Sequence, residues 1–227
     1  GLQRHINLVN PEDRPMVANP LGEAVAQRLG VLTHRTTLAR LFVNGEYRGV
    51  YHRTTHEDER WLRAQHRVPG PIFIGDHLEA PWAIHNFEIT GDTDVLTRVS
   101  PLKQMLDAID MPLGPERYER LWEVVSFEKY ARWEAAMNLA GSAHTDYTHN
   151  NLFYFDPSTG LLEPVISDIN GHGMLEFPVG KARLLARFEP DFRLPLNEKL
   201  QPLLDAALRD PRFHHYRNTA LYDALTT

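Results

Sequence analysis

The sequence predicts an α+β fold in two parts, β-rich first and helical last, and three observations carry that expectation. An Asn44-Gly45 pair sits between two alternating, β-prone runs. A second pair of apolar runs, at residues 152–155 and 161–166, flanks a turn-rich loop at 156–160. Beyond Ser100, segment after segment opens on a helix-start signal and carries apolar residues near helical spacing.

Each element can be justified in order. Residues 2–9 alternate enough for a short strand. Asn19-Pro20 starts a helix, with Asn as cap and Pro at the first position, and Gly30 stops it after about residue 29. Residues 38–51 give the clearest hairpin. Leu38, Arg40 and Phe42, then Tyr47, Gly49 and Tyr51, alternate around Asn44-Gly45, and both turn positions require positive φ. A polar stretch at 53–67 follows, with Trp61 and Leu62 starting a short helix. Pro69-Gly70-Pro71 turns the chain into the strand Ile72-Phe73-Ile74, and residues 76–94 read as irregular or weakly stranded. Ser100-Pro101 opens a helix to about 110, Gly114-Pro115 another to about 122, and Ser126 caps a third to about 139. The strands at 152–155 and 161–166 form a hairpin around a five-residue loop. Helices at about 196–208 and 211–225, the second capped by Asp210, complete the chain. No internal repeat, low-complexity segment or long linker stands out. The expected division is a single domain, with a β-rich lobe at 1–98 and a mostly helical lobe at 99–227 that carries the second hairpin.

Composition narrows the function classes. The 227 residues are 42% hydrophobic and 24% charged, ordinary values for a chain that buries a core. A net charge of −6 argues against a general nucleic-acid interface, which needs a basic face. There is no cysteine, so disulfides and thiolate metal sites are excluded. No apolar run approaches the roughly 20 residues of a membrane-spanning helix. The chain opens on Gly1-Leu2-Gln3 and not on Met, which reads as a fragment or a processed product. Lysine is scarce: Lys103, Lys129, Lys181 and Lys199 are the four, and none precedes residue 103.

The chemistry concentrates in two polar clusters, 144–151 and 167–173, that flank the second hairpin. A hairpin returns both clusters to the same end of its strands, so Asp146, Asn151 and Asp168 converge. That spacing has the logic of phosphoryl transfer. One carboxylate handles an acceptor hydroxyl, while an asparagine oxygen and a second carboxylate hold Mg²⁺ against phosphates. Asp, Asn, His and Gly also crowd at ordinary turns, so each cluster alone reads more as turn chemistry than as catalysis, and it is the pair across a hairpin that points to a site. A separate reading takes His144, Asp146, His149, Asp168 and His172 as ligands of Zn²⁺ or Mn²⁺ in a metal-dependent hydrolase. The remaining histidines, such as His34, His52, His66 and the pair His214-His215, read as surface or helix residues.

Several segments resemble the CotH kinase family, named for spore coat protein H. Residues 41–51, LFVNGEYRGVY, are similar to its strand–NGxxxGxY–strand signature. Residues 125–130, VSFEKY, resemble the helix start before its catalytic loop. Residues 146–157 resemble its Asp-containing loop and following strand, 165–173 its PWDxD…G segment, and 197–216 its C-terminal helices. The likeness runs over most of the chain in the family's order. It implies an atypical, two-lobed protein-kinase-like fold, ATP and Mg²⁺ or Mn²⁺ as cofactors, and a protein substrate with a Ser/Thr acceptor. By carry-over Asp146 is catalytic, Asn151 and Asp168 bind the nucleotide-bound metal, and Asn170 is a further metal ligand. The resemblance also suggests a cell-surface, spore-coat or secreted location, and it leaves the oligomeric state open.

The departures define alternatives. Ser167 stands where the family has tryptophan, and Asn170 where it has a second aspartate. Asn150 fills the family's His slot, with His149 one residue earlier. Thr55 takes the place of a glutamate that commonly follows the GxY strand, and Glu57 substitutes only if the loop shifts. An expected phosphate-gripping lysine is missing. Either the N-terminal lobe is truncated, or an arginine such as Arg35, Arg40 or Arg53 serves in its place, or the chain is a catalytically impaired pseudokinase or coat-like structural protein that binds a partner.

Overall fold

A computed structural model describes residues 5–11, 16–75, 82–90, 95–140, 151–167, 169 and 202–226. These residues form a mixed α/β structure of two sheets and seven α-helices.

The smaller sheet holds β1 (Ile6–Val9), β3 (Thr36–Val43) and β4 (Glu46–Thr55) in the antiparallel order β1-β4-β3. Its hairpin turns where the sequence predicts: Asn44 and Gly45 have φ of 52° and 85°. The larger sheet holds β2 (Leu32–Thr33), β5 (Ile72–Gly75), β6 (Phe87–Thr90), β7 (Asn151–Asp156) and β8 (Leu161–Ile166). Its order is β2-β8-β7-β5-β6, and only the β2–β8 pair is parallel. This sheet takes β2, β5 and β6 from before residue 98 and β7 and β8 from after it.

Alternation along β7 and β8 explains why the larger sheet is buried on both faces. Phe153, Leu162 and Ile166 point into a large core shared with the helices. Those helices are α1 (Ala18–Arg28), α3 (Val95–Ile109), α4 (Pro115–Val124), α5 (Phe127–Leu139), α6 (Pro202–Arg209) and α7 (Pro211–Thr226). Leu152, Tyr154 and Val165 point the other way, onto Trp61 and Leu62 of the short helix α2 (Glu59–Ala64). Phe127, Tyr130 and Phe213 interlock α5 with α7, with ring centroids 5.8–6.1 Å apart.

Two helix starts differ from expectation. Val17, not Asn19, stands at the cap of α1, and Asn19 is buried in the first turn. The helix α3 begins at Val95 and carries Pro101 inside it. An internal proline costs about 3 kcal/mol. Leu102 and Met105 just beyond it are fully buried, and each returns roughly 1.5–3 kcal/mol, so packing outweighs the lost hydrogen bond. Ser126 does precede α5, but as a tether: its backbone N–H donates to the Leu162 carbonyl at 2.9 Å, and its side chain makes no cap. His34 and His52 also correct the surface reading, at 2% and 1% exposed. Among the described residues no helix is long and apolar enough to cross a membrane.

Candidate functional site

Four strand ends meet at one edge of the larger sheet. Asn151 begins β7 opposite Gly75, the last residue of β5. Ile166 ends β8 opposite Thr33, the last residue of β2. The hairpin thus opens its loop end exactly where the chain leaves β2, an arrangement fixed by antiparallel pairing of β7 and β8. Of the predicted site residues, Asn151 is described. It is half-buried, and its side-chain amide makes no hydrogen bond among the described residues. Asp146, Asp168 and Asn170 lie outside the described residues, as do His144, His149 and His172. Ile169 is described and 1% exposed. It packs so closely on Gly22 of α1 that a Cβ at Gly22 would overlap its side chain.

Behind the β2–β3 junction lies a buried polar cluster. Both His34 nitrogens face acceptors. Nδ1 donates to the Thr55 carbonyl at 3.0 Å, and Nε2 sits 3.0 Å from a Glu57 oxygen. Burial opposes a charge on His34, but the Glu57 carboxylate outweighs it and holds the imidazole above its usual pKa. Reciprocally, burial works against the Glu57 charge, yet His34 keeps that carboxyl below its usual range. Trp61 stacks on the imidazole with centroids 5.7 Å apart. Beside it, Glu23 accepts from the Thr36 N–H and hydroxyl, and burial pushes its carboxyl upward. His52 contributes a hydrogen bond to the Met16 carbonyl at 3.1 Å.

In front of the same junction is a cleft of about 1190 Å³. It runs along β2, between the smaller sheet on one side and α2 and the start of α5 on the other. Its lining carries Arg35, Arg53, Arg67 and Lys129, and no carboxylate among the described residues. Arg67 is engaged, pairing with Glu163 and lying 3.6 Å from Asp156. Arg35, Arg53 and Lys129 have no ion-pair partner among the described residues. Burial lowers the Lys129 pKa, and the nearby Arg67 and Arg132 charges lower it further. Arg40 lies on the opposite face of the smaller sheet: it alternates with Thr36 and Leu38, and the cleft does not include it.

The cleft wall reveals a repeat that the reading of the chain missed. The tetrapeptide His-Arg-Thr-Thr occurs twice, at 34–37 and 52–55. The copies lie antiparallel, with Thr36 opposite Thr54 and Thr37 opposite Arg53, and the Arg35 N–H donates to the Thr55 hydroxyl at 3.2 Å. Identical triplets paired about their middle residue place one Arg and one Thr from each strand on the cleft face.

Comparison with known proteins decides the family. A family described as "CotH kinase protein" matches residues 1–227. The chain belongs to the CotH family. A curated relative, "Inner spore coat protein H" of Bacillus subtilis (strain 168), is 24% identical over 241 residues. The match covers 92% of this chain and 65% of that protein, so the chain spans less than two thirds of the relative's length.

Within the CotH pattern, the departures now have surroundings. Thr55, in the glutamate's place, faces the cleft and accepts from Arg35. Glu57 is turned away from the cleft into the ion pair with His34. The cationic lining falls to Arg35 and Arg53, two of the three arginines named from sequence, joined by Lys129, whose helix-start motif marked it for another reason. The signal that would have found the wall earlier is the doubled His-Arg-Thr-Thr, one copy just before and one just after the hairpin predicted at 38–51.

Proposed function

We propose that this chain is a two-lobed, kinase-like phosphotransferase that moves the γ-phosphate of ATP to a serine or threonine hydroxyl of a protein, with Mg²⁺ or Mn²⁺. One observation supports this most. In a chain of net charge −6, the cleft is lined by cations with no carboxylate among the described residues, and it runs along β2, whose last residue, Thr33, pairs with Ile166 at the end of β8. On this reading the smaller sheet forms one wall of the nucleotide site. The helices and the β7–β8 hairpin form the other.

Asp146, in the segment before β7, takes the proton of the acceptor hydroxyl. The acceptor oxygen bonds to the γ-phosphorus as the bridging bond to the β-phosphate breaks, and ADP leaves. Asn151 and Asp168 hold the divalent ion, with Asn170 as a weaker, neutral donor. An all-oxygen donor set suits a hard cation, and the Asn151 amide, which makes no hydrogen bond among the described residues, fits that task. The ion supplies charge neutralisation at the phosphates.

Transfer of labelled phosphate from ATP, with Mg²⁺ present, tests the assignment. Asp146→Ala and Asp168→Ala are each expected to lose about 10²–10⁴-fold in rate. Transfer by both variants at the wild-type rate overturns it.

The relative's printed name supports a second reading, a catalytically impaired coat component that keeps the fold and binds a partner. Thr55 in the glutamate's place and the neutral Asn170 favour it. Mg-ATP separates the two. A ligand at 100 times its Kd stabilises a protein by about 2.7 kcal/mol, and the coat reading expects no such thermal shift.

A further inference from the structure

No lysine of this sequence precedes Lys103, and the doubled His-Arg-Thr-Thr supplies a specific candidate for the group that grips the phosphates. In an antiparallel pair, directly opposed residues share a face, and residues two apart on one strand share it too. Thr37 opposes Arg53, so both are on one face. Arg35 is two residues from Thr37, and Thr55 two from Arg53, so all four are on that face, and all four line the cleft. By alternation the side chains of the middle residues, Thr36 and Thr54, turn the other way, where their hydroxyls bond at 2.9 Å, although Thr54 also borders the cleft. The result is a square with arginines at one diagonal and threonines at the other. Diagonal neighbours in a ladder lie roughly 7–8 Å apart, so two long guanidinium side chains converge on one group.

We infer that Arg35, Arg53, Thr37 and Thr55 form a phosphate-binding square that grips the phosphate tail of a nucleoside triphosphate in place of a lysine. The identity of the ligand rests on the phosphotransferase reading. The square itself rests on register, cleft lining and charge. Two guanidinium forks offer paired donors to phosphate oxygens, and two hydroxyls add donors between them. Neither arginine has an acidic partner among the described residues, and the sheet's other charged face is closed by the Glu23 and His34 contacts. Lys129 lines the same cleft from α5, on the opposite wall. Arg40 is an exposed arginine on the same hairpin that faces away, and so is the internal control.

Calorimetric titration of the full chain with Mg-ATP, inorganic tripolyphosphate and adenosine tests this. Arg35→Gln and Arg53→Gln are each expected to weaken tripolyphosphate and Mg-ATP by at least about tenfold, the loss of one charge-assisted contact. The double variant weakens them further, adenosine binding does not change, and Arg40→Gln stays within about twofold of wild type. A circular-dichroism melt of each variant confirms that the fold is kept. If the double variant binds tripolyphosphate as wild type does, or Arg40→Gln loses as much, the square is wrong. If wild type binds no tripolyphosphate, it is also wrong. The two readings fail separately. Arginine-dependent tripolyphosphate binding without phosphate transfer removes the phosphotransferase and leaves the square standing. Phosphate transfer that survives the double variant removes the square alone.

Discussion

His34 and Arg35 are neighbours in the chain, yet their side chains enter opposite environments. Behind the junction, His34 is 97–98% enclosed by Glu57, Trp61 and the Thr55 carbonyl, and its charge is matched. In front of it, Arg35 is exposed in a cleft with Arg53 and, among the described residues, no carboxylate. The same strand-to-strand alternation produces both. Charge on one face is spent on holding two sheets together, and charge on the other is left available to something outside the chain. A matched buried pair is costly to break because its surviving member is stranded. An exposed, unmatched arginine contributes little to folding and is removed at little cost.

The largest expected effect lies on the buried side. Glu57→Ala strands His34 against the Thr55 carbonyl and is expected to destabilise the protein by about 2–3 kcal/mol in denaturant unfolding. That is below the roughly 3–5 kcal/mol of other broken buried pairs, because an imidazole can shed its proton. A loss under about 0.5 kcal/mol would mean that the pair contributes no more than a surface one.

The next effect is a pH dependence. The folded pKa of His34 is above its ordinary 6.5, so its contribution is complete below pH 6.5 and is lost as pH rises through the folded value. The folded pKa of Glu57 is below 4.5, so its contribution is complete above pH 4.5 and is lost as pH falls through the folded value. The pair therefore stabilises most between these limits. The stability difference between wild type and His34→Gln should shrink steadily as pH is raised above 6.5. Glu23 titrates nearby with a raised pKa and is common to both proteins, so the difference, not either curve alone, carries the test. A difference constant from pH 6 to 9 would break the comparison.

The smallest effect belongs to the cleft side. Arg53→Gln should change unfolding free energy by no more than about 0.5 kcal/mol, while its phosphate affinity falls as described above. A large destabilisation would place Arg53 with the structural charges.

Much of this architecture is written in local signals. Asn44-Gly45 demanded a hairpin, and the two positive φ values are there. The 152–166 hairpin, the stop at Gly30 and the cap at Asp210 are equally local, and Asp210 does accept from the Arg212 N–H at 2.9 Å. Features decided by distant partners were not legible. Pro101 stops a helix only if little is buried beyond it. His34 and His52 read as surface residues because nothing within four positions reveals Glu57 or Met16 as partners. The cleft wall escaped for a related reason: each Arg-Thr-Thr is unremarkable until antiparallel register sets the two side by side. The hairpin that brings Asn151 to the sheet edge was legible; Asp146, Asp168 and Asn170 fall outside the described residues, and their placement rests on the proposal.

The contact between Gly22 and Ile169 has one more consequence. Ile169 sits between Asp168 and Asn170 in the chain, and its side chain is seated against a helix that offers only a hydrogen at that point. The fit leaves no slack for even a single methyl group. The position of α1 therefore limits where Ile169 can sit. Whatever tilts or slides α1, a bound partner included, would press on Ile169 by steric contact alone, with no polar group changing hands.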